Sequence, residues 1–431
     1  MPNIKSYIKE KSPGFVKWTH KLRGILAYYA YGMPSKNLRV IGVTGTNGKT
    51  TTCHMIAGIL QASGEKVGMA TTTTFRIGAK EWANVTNMTT MSPFALQSLL
   101  AKMVKAGCTY AVVETSSHAI AQYRNWGIRY FAVAMTNVTH EHLDYHKTFN
   151  DYVETKTRLF QMHPRVSTVN ADDPSFRKFL QYPAGRQLTY SQNSRADVAA
   201  RKILPSRNGT VFTLVLPNVQ ITVDLHLVGL FNVSNALCAA AIAYGLEVSP
   251  ENIKKGLEAV HAVPGRMEKV EVGQDFTVMI DYAVTPDSLE KLYTTLKPAV
   301  NGRMIAVLGA CGDRDKTKRP LMGAVAGRFC DYVVVTDEEP YTEDPQSIIE
   351  QVANGVPKGR KTKMKLDEDY FIVADRREGI AKALSLAKRG DLVVVTGMGA
   401  QEFRVVGSKH LPWSDKKVIR EELGKLGYNR K

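Results

Sequence analysis

A chain of 431 residues, 44% of them apolar, is long enough for two or three domains with real cores. It has no run of about 18 apolar residues, which excludes a membrane-spanning helix, and the polar start Met1–Lys11 lacks the apolar centre of a secretion signal. The formal net charge of +17 asks for an anionic partner; basic residues are spread along the chain without an aromatic-laced stripe, which favours acidic small substrates over nucleic acid, with part of the surplus serving solubility. Five scattered cysteines without metal-ligand spacing read as reduced residues of a cytoplasmic enzyme.

Residues 1–36 form a short basic leader in which Phe15, Trp18, Leu22, Ile25 and Leu26 recur at helical spacing, predicting a helix that lies on the first domain. From residue 37 strands and helices alternate, with strands at 39–43, 67–70, 110–114, 131–136 and 166–170 and helices at 50–61, 93–106 and 150–162. That alternation predicts a parallel sheet whose ligands sit beyond the carboxyl ends of its strands. Residues 185–228 alternate apolar and polar side chains, predicting a small antiparallel subsheet. A helix opens at Gly229-Leu230-Phe231-Asn232, and Val263-Pro264-Gly265-Arg266 reads as a joint. Further strands at 277–280, 304–308, 332–335 and 392–395 predict a second, Rossmann-like α/β domain. The expected division is 1–36 leader, 37–262 central P-loop-type ATPase domain and 263–431 C-terminal domain.

Gly42-Val43-Thr44-Gly45-Thr46-Asn47-Gly48-Lys49-Thr50-Thr51 joins an apolar strand to an apolar-periodic helix, the setting of a phosphate-binding loop. Backbone N–H groups of the turn would wrap phosphates, Lys49 would reach the terminal ones, and the Thr50 hydroxyl would hold Mg²⁺. Val43 stands where the common pattern has glycine, so the loop is a variant. Glu114 ends one strand and His142 follows another, and both can join Thr50 around a divalent cation. Each also has an ordinary reading, Glu114 as a helix cap and His142 as a locally bonded histidine. On sequence physics alone, Lys156 is a solvated helix lysine. Asp281 ends a strand, as ribose-binding carboxylates do, and Arg314 sits in a charged turn that suits a carboxylate ligand or a solvated surface.

Six ordered motifs resemble those of the Mur ligases, in the tripeptide-synthetase branch: Thr44–Thr51, Glu114-Thr115-Ser116-Ser117-His118-Ala119, the stretch Thr136–His146, Phe231-Asn232-Val233-Ser234-Asn235, Pro264-Gly265-Arg266-Met267-Glu268 and Gly312-Asp313-Arg314-Asp315-Lys316. The resemblance implies an ATP-dependent amide ligase working through an acyl phosphate. It assigns Gly45, Thr46, Asn47, Gly48, Lys49, Thr50, Thr51, Asn235, Arg266 and Asp281 to the nucleotide. Two Mg²⁺ ions are implied beside Thr50, Glu114, His142 and a carbamylated Lys156. Ser116, Gln122 and Arg124 match contacts to a UDP-muramoyl-dipeptide, and Arg314 matches a grip on the incoming amino acid's carboxylate.

Departures from the family pattern shape the expectation. The N-terminal uridine-binding domain is reduced to the leader, so nucleotide-sugar binding is expected to be weaker, differently arranged or supplied by a partner chain; the chain itself is expected to be a monomer. Small-molecule substrates are expected, with neither nucleic acid nor membrane as partner. Glu338-Glu339-Pro340-Tyr341 replaces the Asp-Asn-Pro-Arg of diaminopimelate-adding enzymes, favouring lysine or ornithine over diaminopimelate. Gly397-Met398-Gly399-Ala400-Gln401 replaces Gly-Lys-Gly-His-Glu, placing Gly397 and Gln401 at the same substrate, and Val284 replaces a histidine. A ligase for a folate or poly-glutamyl acceptor and a nucleotide-binding protein without ligase activity are the competing readings.

Overall fold

The computed structural model describes residues 13–86, 88–139, 141, 143–206, 209–360 and 364–428. The chain divides into two compact units between His261 and Ala262.

The first unit is built on β1 (Arg39–Thr44), β2 (Val67–Ala70), β3 (Thr74–Ile77), β4 (Lys80–Ala83), β5 (Tyr110–Glu114), β6 (Tyr130–Met135), β7 (Val166–Asn170), β8 (Arg186–Ser191), β9 (Val198–Pro205), β10 (Thr210–Leu216) and β11 (Val219–Leu225). They form one sheet in the order β11-β10-β9-β8-β7-β6-β1-β5-β2-β3-β4. The middle strands are parallel and buried on both faces, which is why they read as short continuous apolar runs. The expected subsheet of the 185–228 region is hydrogen-bonded into the main sheet. Its first strand, β8, follows a crossover and pairs parallel with β7, β9 pairs parallel with β8, and β10 and β11 then continue the main sheet through antiparallel pairings. The alternating burial of β10 matches its single covered face.

α2 (Lys49–Ala62) follows β1 and packs beside the alanine-rich helix Leu230–Gly245 and the helix Pro250–Glu258. A side chain at Gly58 would strike the Gly256 carbonyl, so the two helices approach backbone to backbone only because both positions are glycine.

α1 (Pro13–Ala30) does lie on the first unit, packing on α3 (Pro93–Lys105), but with the opposite face from the one the apolar spacing predicts. Gly24, Ala27 and Tyr28 are the buried positions, with Tyr28 edge-on to Trp126 at 5.6 Å. Phe15, Trp18, Leu22 and Leu26 are exposed. The contact is made by small residues, which carry no hydrophobic signal in sequence.

The second unit carries β12 (Glu268–Lys269), β13 (Thr277–Asp281), β14 (Met304–Leu308), β15 (Tyr332–Val335), β16 (Tyr370–Ile372) and β17 (Leu392–Thr396) in the order β12-β13-β17-β14-β15-β16. All but the edge strand β12 run parallel. A hairpin, β18 (Phe403–Val406) with β19 (Lys409–Pro412), stands apart from this sheet.

Candidate active site

β1 lies between β5 and β6 in register, so the turns after these three strands converge at one sheet edge. The turn after β1 needs its glycines. Gly45 has φ 151° and Gly48 φ 81°, and a side chain there would strike Thr136 Oγ1 and Asn235 Oδ1 respectively. The turn is pinned from β6: Asn47 N–H donates to Asn137 Oδ1 at 2.9 Å, and Thr136 Oγ1 donates to the Asn47 carbonyl at 2.7 Å. This leaves a rigid cradle at the start of α2, whose N-terminal N–H groups and dipole favour a bound phosphate.

Lys49 Nζ folds over this turn, donating to the Thr46 carbonyl at 2.7 Å and the Gly45 carbonyl at 3.1 Å. Thr50 Oγ1 donates to Glu114 Oε2 at 2.9 Å, and the same oxygen accepts from Thr72 N–H at 2.8 Å. Both Thr50 and Glu114 are buried. A hydroxyl and a carboxylate held together beside a phosphate cradle form a hard-oxygen donor set that fits Mg²⁺. His142 and His140 lie outside the described residues.

Lys156 is not the solvated helix lysine that its sequence suggests. It is 1% exposed, its Nζ donates to the Gly45 carbonyl at 2.7 Å, and the ammonium lies 4.3 Å from the Tyr152 ring centre. Burial, reinforced by Lys49, pushes its amine well below the ordinary lysine range. Tyr152 and Thr46 share a hydrogen bond of 3.1 Å, closing a ring around the turn that the sequence did not disclose. Thr51, the next residue on α2, is buried.

Asn235 reaches the same turn. Its Nδ2 donates to Asn232 Oδ1 at 3.0 Å, which fixes the amide, while its Oδ1 accepts from Thr52 Oγ1 at 3.5 Å. Ser116 caps the helix Ser117–Ala121 by accepting from Ala119 N–H at 3.2 Å. Arg124 donates to Gln122 Oε1 at 2.7 Å and to the Thr90 carbonyl at 2.8 Å, and Thr90 in turn holds the Glu114 carbonyl at 2.8 Å. Ser116, Gln122 and Arg124 thus sit on one network running back to Glu114. Thr72 and Thr90 were missed in the sequence because lone threonines in loops carry no motif.

In the second unit, Asp281 ends β13 and accepts from Met267 N–H at 2.8 Å; desolvation pushes its carboxyl up against the opposing pull of Arg266. The Arg266 guanidinium lies 4.9 Å from the Tyr282 ring. Glu338 and Glu339 are buried after β15. Glu338 Oε1 accepts from the Cys311 thiol at 2.9 Å, and its Oε2 has no hydrogen-bond partner among the described residues. Burial raises the Glu338 carboxyl above its usual range. Gly397, at φ 107°, leaves room for that carboxylate, since a side chain there would strike Oε2. Tyr341 forms a platform for Arg314, whose guanidinium lies 5.1 Å from its ring. Gln401 is half-buried, its N–H bonded to the Met398 carbonyl at 3.1 Å.

Comparison with known proteins follows the same division. A Mur ligase middle domain matches residues 43–243, and a Mur ligase glutamate ligase domain matches 265–399. The UDP-N-acetylmuramyl-tripeptide synthetase of Roseiflexus sp. (strain RS-1) is 40% identical over 419 residues, spanning 94% of this chain and 82% of that protein. The UDP-N-acetylmuramoyl-L-alanyl-D-glutamate--2,6-diaminopimelate ligase of Bacillus licheniformis is 38% identical, spanning 95% and 84%. Among solved structures, a ligase of the latter name superposes with TM-score 0.63 at 30% identity over 95% of this chain and 82% of its own. Mycobacterium tuberculosis folylpolyglutamate synthase complexed with ADP gives TM-score 0.71 over 95% and 94%, and at 19% identity this likeness is one of fold alone.

Proposed function

The chain belongs to the Mur ligase family of ATP-dependent, ADP-forming ligases, and we propose that it extends a UDP-N-acetylmuramoyl-L-Ala-D-Glu acceptor by one amino acid in the cytoplasm. The added residue is one other than meso-diaminopimelate, with lysine or ornithine favoured. In this reading the acceptor carboxylate attacks the γ-phosphorus of ATP and ADP leaves. The amine of the amino acid then attacks the acyl phosphate, releasing inorganic phosphate and a proton as the amide forms.

The phosphate cradle at Gly45–Gly48 binds the triphosphate through backbone N–H groups. Lys49 exchanges its two carbonyl contacts for phosphate oxygens. Asn235 holds the turn from behind, and Arg266 and Asp281 serve the nucleoside end. Thr50, Glu114, His142 and Lys156 would hold Mg²⁺, which when bound offsets negative charge on the phosphoryl group in transfer. A lysine amine shifted toward neutrality can add CO₂ and lose a proton, so the buried setting of Lys156 supports its conversion to a carbamate. Ser116, Gln122 and Arg124 offer donors to the acceptor peptide, and Arg314 offers a fork to the amino acid's carboxylate.

The observation that carries the choice of amino acid is the buried Glu338, whose Oε2 has no hydrogen-bond partner among the described residues. A cationic side-chain terminus would satisfy that oxygen and offset the cost of its burial, while the second carboxylate of diaminopimelate would meet like charge from Glu338 and Glu339. Acceptor-dependent ADP formation tests the reaction. Sustained ADP formation that requires both UDP-muramoyl-dipeptide and an amino acid supports it. ADP formation with a folate acceptor alone would overturn it.

A further inference from the structure

α1 presents its apolar side to solvent. Phe15, Trp18, Leu22, Leu26 and Tyr29 follow one another at three- and four-residue steps, and their exposures are 57, 58, 36, 53 and 61%. Over this span of the helix the stripe is about 21 Å long. Isolated exposed apolar residues are ordinary, but a continuous stripe with two stacked aromatic rings, Phe15 and Trp18 at 6.0 Å, is not.

Charge decides what covers it. By helical spacing Lys21 flanks the stripe on one side and Arg23 on the other, Lys17 stands one turn before Lys21, and all three are exposed. From residue 11 to residue 64 the sequence contains no aspartate or glutamate. Two copies of this helix pairing through their stripes would bring both sets of cations together with no acid on either helix to offset them. An anionic lipid surface supplies an apolar layer for Trp18, Phe15 and the leucines together with negative headgroups for the flanking cations. We infer that α1 is an interfacial helix that docks the enzyme on an anionic bilayer. Among the described residues no helix is long and apolar enough to cross a membrane, so the helix lies on the bilayer rather than through it. The expectation of no membrane partner rested on the lack of a spanning segment and a signal core, and an interfacial helix needs neither.

The test is co-sedimentation of the full chain with vesicles of phosphatidylcholine alone and with about 30% phosphatidylglycerol added. The bound fraction is expected to rise at least about tenfold with the anionic lipid and to fall again between about 0.1 M and about 1 M salt. Trp18→Ser with Leu22→Ser, and separately Lys17→Glu with Lys21→Glu, are expected to return it to the phosphatidylcholine level while ADP formation without vesicles is unchanged. Equal sedimentation on the two vesicle types, or undiminished binding by the variants, would overturn the inference. So would a dimer in sedimentation velocity that Trp18→Ser with Leu22→Ser converts to monomer, because the stripe would then be covered by a second copy.

Discussion

Lys156 Nζ donates to the Gly45 carbonyl at 2.7 Å, tying a helix that begins at Phe149 to the first residue of the phosphate loop. The ammonium is buried, and its neighbours at the loop are another lysine, a carbonyl and the face of Tyr152. Desolvation and the second lysine disfavour the charged form against the pull of the carbonyl, the ring face and Glu141, which suits the carbamylation proposed for this amine.

Lys156→Ala is therefore expected to lower the rate of ADP formation about 10²–10³-fold, with the KM for ATP little changed. Short carboxylates added at high concentration should restore part of the rate by standing in for the carbamate. A purely structural lysine would show the loss without the rescue. Steady-state kinetics with and without acetate separate the two.

His54 on α2 offers a pH signature. It is buried, its Nε2 has no partner among the described residues, and burial lowers its pKa to about 3. The folded state thus holds the neutral ring, whereas an unfolded histidine titrates near 6.5. Its contribution is fully present above pH 6.5 and is lost as the pH falls toward 3. The unfolding free energy of the first unit is expected to drop by about 2 kcal/mol from pH 7 to pH 5, and His54→Gln to flatten that slope. Urea denaturation at the two pH values checks it.

How much of this was legible depended on whether the signal was local. The strand, glycine turn and helix around Gly45–Thr50 are contiguous, and the structure builds them where the spacing predicts. The burial of Lys156 was not legible, because it is made by Tyr152 and Gly45, one a helical turn away and the other 111 residues distant. The face of α1 was misread because Gly24 and Ala27 bury themselves without hydrophobic bulk, leaving the aromatic residues outside. Thr72 and Thr90 gained their roles only when β2 and the turn before α3 brought them to Glu114.

Arg376 and Asp415 form a fully buried pair in the second unit, with Nε to Oδ1 at 2.8 Å and Nη2 to Oδ2 at 2.6 Å. The arginine also donates to the Thr396 carbonyl at the end of β17. Asp415→Ala would strand a buried guanidinium and is expected to cost the second unit about 3–5 kcal/mol. Arg376→Met combined with Asp415→Leu should recover much of that loss. Chemical denaturation of the three proteins checks both statements.

The most direct measurement is phosphate release from ATP with Mg²⁺ and UDP-muramoyl-dipeptide, across lysine, ornithine, meso-diaminopimelate and neutral amino acids, for the native chain and for Glu338→Gln. Turnover with lysine or ornithine is expected, with diaminopimelate at least about tenfold poorer, and Glu338→Gln should shrink that preference by weakening the cationic substrates. A native enzyme that uses diaminopimelate best, with a preference Glu338→Gln leaves unchanged, would contradict the reading of the buried carboxylate as the part that selects the amino acid.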